Sequence, residues 1–464
     1  MKRQVLSTLF WGTVVLSVLT VSCTSAQREA RTMPEQVEGW ALDGAEERIR
    51  EHRMGEIVLE LVDSEGNALR AGIDVSIEQT KHAFYFGGSM TSMRGEAFSG
   101  EFSGKVLKGF EDIFNYATMP FYWSWYESKE GKIVHKSSIQ GLLDWAEARE
   151  MTTKGHPIIW HQCVPEWLED KGESEVNELI RARVGEVIAL YPEIDHWDVI
   201  NEAPAAWAPQ NQSAVGKWVT RSGGAGPATE ILLDIANRQD PGGFYLTNCF
   251  TVLDKHEEQL EYLVDSGARF NAVGVQSHMH SGEWTEEKTW DVCERFSKFG
   301  KPLHFTETTV ISGEPKPYSE IKKNEELRRG PDRHNIPPWE STPEGEARQA
   351  QFVADFYTLL FSHPAVEAII WWNICDRNAW RAAPGGFLDA NGDPKPSYTR
   401  LHNLIKNKWW TKLETGTRSE GKVNMFGFYG AYRVRVNHKG RAIKGDFTLE
   451  KSTDAPGVLR INLR

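Results

Sequence analysis

Two glutamates, each at the end of a short apolar run, are where this sequence could do chemistry. Glu202 closes His196-Trp197-Asp198-Val199-Ile200-Asn201-Glu202-Ala203-Pro204, and Glu307 lies within Pro302-Leu303-His304-Phe305-Thr306-Glu307-Thr308-Thr309. A carboxyl at the carboxyl end of a parallel strand points into the mouth of an α/β barrel, where such barrels hold their reactive groups. Two carboxyls facing one cleft can share the work of breaking a glycosidic bond, one as proton donor and one as nucleophile. That division needs one group protonated and the other ionised near neutral pH, so their surroundings must differ. Asn201, one residue before Glu202, can hydrogen-bond a sugar hydroxyl, and His278 with neighbouring donors would favour the charged form of Glu307. A lone glutamate is more often a salt-bridging surface residue. An Asn-Glu pair on one strand end, with a second strand-end glutamate three strands later, argues against that explanation.

The elements that must position these residues follow from periodicity. Eight runs read as strands: 82–87, 116–121, 153–160, 196–201, 243–247, 272–278, 302–306 and 368–373. Amphipathic helices fit between them at 137–150, 173–191, 225–239, 255–266, 287–299 and 346–362. This alternation predicts an α/β protein with a (β/α)₈ TIM barrel over 82–408. The segment 312–343, rich in Pro, Lys, Arg and Glu, reads as a long irregular loop that walls the cleft. Alternating apolar residues at 56–62 and 72–79, around Asp63-Ser64-Glu65-Gly66-Asn67, read as a β-hairpin within an N-terminal segment 46–81. Three more alternating stretches, 425–436, 444–450 and 457–463, fall within 415–464. Neither terminal set is large enough alone, so the two ends are expected to pair as one small β-sandwich.

Length and composition bound the rest. The 464 residues exceed one ordinary core, and 40% hydrophobic with 25% charged residues is the balance of a soluble globular protein. A net charge of −12 argues against a nucleic-acid partner. It also makes a polyanionic glycan a less natural substrate, unless the cleft is locally basic. Eighteen tryptophans could stack on sugar faces, although large cores also absorb tryptophan.

Lys2 and Arg3, an apolar stretch at 5–21 and Ser22-Cys23 predict an export signal over 1–23. Small residues before a lone cysteine, with polar Thr24-Ser25-Ala26-Gln27 after it, point to the lipoprotein type with Cys23 as the acylated residue. Residues 24–45 would be a polar linker. The expected location is the outer membrane or cell surface, or the periplasm or exterior if cleavage instead falls near Ala26. Cys163, Cys249, Cys293 and Cys375 show no paired spacing and read as buried thiols.

Several motifs occur in order. They are Gly155-His156-Pro157-Ile158-Ile159-Trp160-His161-Gln162 with Pro165 and Trp167, then Trp197 to Ala203, then Gly274-Val275-Gln276-Ser277-His278-Met279. Thr306-Glu307 follows, then Trp371-Trp372-Asn373-Ile374-Cys375-Asp376-Arg377-Asn378-Ala379-Trp380, Gly386-Phe387-Leu388-Asp389 and Lys395-Pro396-Ser397-Tyr398. From about His82 to Leu404 this series resembles glycoside hydrolase family 10, the β-1,4-xylanase family of retaining (β/α)₈ enzymes. The resemblance implies Glu202 as acid/base and Glu307 as nucleophile. It implies sugar contacts from His156, Trp160, His161, Asn201, Gln276 and His278, and sugar platforms from Trp372 and Trp380. The implied activity is an endo-1,4-β-xylanase, or a xylanase-like activity on a related β-glycan. A β-linked polysaccharide or oligosaccharide would be the partner, with no metal or organic cofactor, and the protein would be a monomer.

Departures from the family pattern bear on substrate. After Phe114-Asn115 the family places Glu-Asn and then Lys-Trp on the second strand, where they hold sugar units. This chain has Pro120-Phe121 and Ser124-Trp125 there. Losing hydrogen bonds to sugar hydroxyls weakens discrimination, so ordinary xylan would be a poorer substrate. The family's Asp two residues beyond the nucleophile, which orients the sixth-strand histidine, is Thr309. Glu127 and Asn248 are retained polar candidates. Two other readings compete. His156, His161, His278 and His280 could ligate a metal, but no Asp or Lys completes the set. A lipid-anchored, non-catalytic glycan-binding protein on a hydrolase fold is favoured by the missing contacts and opposed by the two retained glutamates.

Overall fold

Strands covered on both faces are buried along their whole length, and Tyr116–Pro120, His196–Asn201 and Leu303–Val310 of this chain have that character. The computed structural model describes residues 41–93, 100–207, 211–329, 339–451 and 457–464, with 326–329 by backbone alone. The signal, Cys23 and residues 24–40 of the expected linker lie outside the described residues. Two strands come first, β1 (Met54–Val62) and β2 (Asp74–His82). The barrel follows with β3 (Tyr85–Ser89), β4 (Tyr116–Pro120), β5 (Thr152–His156), its short continuation β6 (Ile159–Trp160) and β7 (His196–Asn201). It is completed by β8 (Phe244–Cys249), β9 (Ala272–Met279), β10 (Leu303–Val310) and β11 (Val366–Trp371).

All barrel pairings are parallel, in the order β5-β4-β3-β11-β10-β9-β8-β7-β6, and β5 also pairs with β7 to close the sheet. The eight expected strands are therefore the eight staves of a TIM barrel. The third is interrupted because Pro157 cannot continue the ladder. Its kink is held from outside by Arg183, buried on the helix Glu173–Leu190. Arg183 donates to the carbonyls of Ile158 and Phe121 at 2.8 Å each. Gly155 is required beside the kink, since a Cβ there would lie 2.0 Å from the Trp197 ring.

The terminal strands build the expected sandwich, but the N-terminal hairpin is not there. β1 pairs with β13 (Lys422–Phe428) and β16 (Val458–Asn462), whereas β2 pairs with β12 (Lys412–Gly416) and β14 (Gly430–His438), which also pairs with β15 (Arg441–Leu449). β1 and β2 thus sit in opposite sheets. Alternate residues of both, such as Leu59, Leu61, Val75 and Ile77, meet in one core between the layers. Eleven residues separate β1 from β2. That is enough chain to arch across the sandwich, whereas a tight hairpin needs only two to five.

The expected stretch 425–436 likewise divides into β13 and β14 in opposite sheets. The break falls at Gly430, whose φ of 149° and whose close approach to the Lys81 carbonyl exclude a side chain. Three other differences concern helices. The expected linker is already folded by Ala45, where a helix runs to Arg53 and packs on the helix Pro343–Ser362. The segment 312–343 is not irregular throughout: Tyr318–Arg329 is helical. Pro343–Ser362 begins three residues earlier than expected, because Thr342 caps it through a bond from Gly345 N.

Candidate active site

Glu202 sits where β7 turns into the short helix Ala203–Ala206. Its backbone is left-handed, with φ 54° and ψ 39°, an uncommon conformation for a side-chain-bearing residue. The turn is held by a bond from Glu202 N to Asn248 O at 2.8 Å, and by Ala205 N and Ala206 N donating to Glu202 O. The carboxyl is buried and meets two donors: Trp160 Nε1 at 2.9 Å and Gln276 Nε2 at 3.1 Å. Burial, and then the charge of Glu307, nonetheless push its pKa up to about 7, against the pull of these hydrogen bonds.

Glu307 is brought to the same cleft by an irregularity in β10. Phe305 pairs with Val275 but Glu307 pairs with Gln276, so β10 has one extra residue at Thr306. A regular strand sends neighbouring side chains to opposite faces. Here two consecutive residues reach one amide: Thr306 Oγ1 donates to Asn248 Oδ1 at 2.5 Å, and Asn248 Nδ2 donates to Glu307 Oε1 at 2.8 Å. His278 Nε2 lies 3.1 Å from Glu307 Oε2, and His156 Nε2 lies 3.7 Å from Oε1. Burial alone would raise the Glu307 pKa. His156, the hydrogen bond from His278 and, further off, Lys154 outweigh it and hold this carboxyl below its ordinary value. The two glutamates are thus displaced in opposite directions.

Amides connect them. Gln276 Nε2 bonds both Glu202 Oε1 and Asn201 Oδ1, and Asn248 Nδ2 bonds both Asn201 Oδ1 and Glu307 Oε1. Below this row lies a buried ion pair, Lys154 Nζ to Asp198 Oδ2 at 2.8 Å, and Asp198 also takes His156 Nδ1 at 2.7 Å. Burial works against ionisation of Asp198, but Lys154 and His156 keep its pKa low. Sequence reasoning missed Lys154 and Asp198 as parts of the site. The signal was present, since a charged residue in the middle of a barrel strand buried on both faces must have a buried partner.

The cleft has a volume of about 1110 Å³ and is lined by His156, Trp160, Asn201, Glu202, Gln276, His278, Glu307, Trp372 and Trp380 among others. Nine of the ten residues singled out for catalysis or sugar contact therefore converge. His161 is the exception: it is buried beside Trp160, does not line the cleft, and neither ring nitrogen has a hydrogen-bond partner among the described residues. Trp160 lines the cleft, but its N–H is committed to Glu202. Trp380 is partly exposed, with the Arg381 guanidinium 4.0 Å from its ring centroid and Arg381 Nε bonded to Glu325 at 2.7 Å. Tyr318, Lys322 and Glu325 bring the helix after β10 to the cleft wall, as expected of that segment.

The divergent second strand is now explicable. Phe121 is fully buried against Tyr191 and Trp197, so it offers nothing to a ligand. Trp125 stacks on His135, and the aromatic that lines the cleft from this segment is Tyr122. Glu127 is structural: it accepts from Trp123 Nε1 and from Gly131 N and does not line the cleft. Asn248, of open role in the sequence, is the hinge of the amide row. Among the described residues no group of three or more His, Cys, Asp or Glu side chains is placed to hold a metal ion. Cys249, Cys293 and Cys375 are buried thiols, and Cys163 is half-buried.

A (β/α)₈ barrel with two buried carboxyls of opposed pKa at the carboxyl ends of its strands defines a site of the glycosidase class. The family model of Glycosyl hydrolase family 10 matches residues 78–404, and the chain belongs to that family. Anti-sigma-I factor RsgI6 of Acetivibrio thermocellus is 23% identical over 432 residues, covering 91% of this chain and 50% of that protein. Endo-1,4-beta-xylanase 1 of Arabidopsis thaliana is 23% identical over 413 residues, covering 85% of this chain and 38% of that protein. The chain therefore spans half or less of the length of these two relatives. Xylanase 10B from Thermotoga petrophila RKU-1, solved in complex with xylobiose, aligns with a TM-score of 0.56 at 19% identity, covering 70% of this chain and 95% of that one. Native xylanase 10B from Thermotoga maritima aligns with a TM-score of 0.55 at 20% identity, covering 70% and 96%. At these identities the likeness is one of fold.

Proposed function

We propose that this chain is a retaining glycoside hydrolase acting on a β-linked polysaccharide or oligosaccharide. Its activity would be that of an endo-1,4-β-xylanase, or a xylanase-like activity on a related β-glycan. The observation that carries the reading is the opposed setting of Glu202 and Glu307 in one cleft. Glu307, ionised, attacks the anomeric carbon while Glu202 gives its proton to the leaving oxygen. Glu202 then takes a proton from the water that displaces Glu307. His156, Asn201, Gln276 and His278 orient the carboxyls or reach sugar hydroxyls, and Trp372 and Trp380 supply apolar platforms. The xylanases among the relatives support xylan as substrate. The aromatic Tyr122 and buried Phe121 on the second strand support a sugar preference unlike that of an enzyme with polar groups there. The two retained carboxyls in one cleft stand against the non-catalytic glycan-binding alternative.

The test is hydrolysis of a panel of xylan and other β-glycans, with the anomer formed first followed by NMR. The β-anomer is expected. The α-anomer would replace this mechanism by inversion, and no hydrolysis of any β-glycan would end the reading. Glu307→Ala should abolish turnover while leaving oligosaccharide binding measurable. We also propose, from residues 1–23 alone, that the protein is exported and anchored through an acylated Cys23. Palmitate labelling lost in Cys23→Ser would support the anchor, and unchanged labelling would exclude it.

A further inference from the structure

The two histidines that flank Glu307 have different partners behind them. His156 Nδ1 faces a carboxylate, Asp198 Oδ2, at 2.7 Å. His278 Nδ1 faces a hydroxyl, Thr309 Oγ1, at 3.1 Å, while its Nε2 is 3.1 Å from Glu307 Oε2. An ionised carboxylate only accepts, so His278 Nε2 carries a hydrogen. In a neutral ring Nδ1 is then a lone pair, and a hydroxyl can donate to it where a carboxylate could not.

We propose that Thr309 is a positioning residue that fixes His278 as the neutral Nε2–H tautomer, leaving Glu307 between one carboxylate-backed and one hydroxyl-backed imidazole. The groups around His278 agree with a neutral ring. It is packed beside Trp380 and Trp372, with ring centroids 4.7 and 5.9 Å away. His280 lies 5.7 Å away, Arg381 and His156 oppose a further positive charge, and Glu307 alone attracts one. A neutral N–H still orients Glu307. An imidazolium would hold the carboxylate more firmly and make it a poorer nucleophile. This kinetic consequence rests on Glu307 as nucleophile; the tautomer does not.

The experiment is ¹⁵N NMR of histidine-labelled protein, with His278→Gln to assign the signals. Near neutral pH the wild type should show His278 with one protonated nitrogen, Nε2, and one bare nitrogen, Nδ1. Thr309→Asp should convert it to the doubly protonated form and move the acid limb of the kcat profile to lower pH. Thr309→Val takes the donor from Nδ1 while Glu307 still holds Nε2–H, so the bare Nδ1 signal should move downfield and kcat should fall roughly tenfold with little change in KM, and Thr309→Ser should restore both. An imidazolium or an Nδ1–H tautomer in the wild type would overturn the proposal. So would a Thr309→Val protein with unchanged spectrum and kcat. If Thr309→Val does not fold, the wild-type, Ser and Asp spectra still decide. The expected spectrum in a protein without hydrolytic activity would uphold the tautomer while removing the proposed function.

Discussion

Glu202 and Glu307 are chemically identical side chains, and everything that separates them is environmental. Glu202 is buried next to a negative charge, with two neutral donors as its partners. Glu307 is equally buried but has two imidazoles and, further off, Lys154. The sign of the pH dependence follows. Glu202 must be protonated to act as an acid, so kcat/KM should fall as pH rises through about 7. Glu307 must be ionised, so the rate should also fall in acid, at a pH below the ordinary carboxylate range. In Glu307→Gln the repelling charge is gone, so the Glu202 carboxyl should titrate at lower pH, measurable by ¹³C NMR of labelled glutamate. An unchanged Glu202 titration would leave burial as the whole cause. The motifs made both glutamates and most of their cleft neighbours legible. His161 was not distinguishable from them, because its motif position does not say on which side of the cleft wall a buried ring falls.

Elements position the residues, and the devices that do so are few. The extra residue in β10 turns Glu307 toward Asn248, and Pro157 with Arg183 shapes the end of the third strand. At the opposite end of the barrel, Arg53 fastens the first helix to the start of β11. Its half-buried side chain donates through the guanidinium to the carbonyls of Phe361, His363 and Val366 at 2.6, 2.5 and 2.7 Å. It also lies over the Phe84 ring at 4.8 Å. Those carbonyls close the helix Pro343–Ser362 and open the following strand, so they have no helical partners of their own. Arg53→Met should therefore destabilise the fold by about 3 kcal/mol or more in denaturant unfolding. Arg53→Lys should not restore it, because an ammonium cannot present the same planar fork. Strands and helices of the barrel were readable from their periods. The bulge was not, because one extra residue in an apolar strand leaves the composition unchanged.

Across the whole molecule the two chain ends depend on each other. β1 lies between β13 and β16, and β2 between β12 and β14, so each N-terminal strand has C-terminal strands on both sides. Truncation after Lys408 would leave β1 and β2 without strand partners and expose Leu59, Leu61, Val75 and Ile77. The truncated chain should be insoluble, or should unfold well below the full chain in a thermal melt, although all eight barrel strands remain. An unchanged melting temperature would show that the sandwich is an independent appendage. The strand–helix alternation, the order of the motifs, the two carboxyls and the need for both ends to pair were all legible in the one-dimensional pattern, because each follows from local period or from too little apolar surface. It took the folded chain to show that β1 and β2 face each other across a core and that Lys154 and Asp198 support the site. Those contacts join residues from separate strands. They depend on barrel closure and register, which a one-dimensional pattern does not carry.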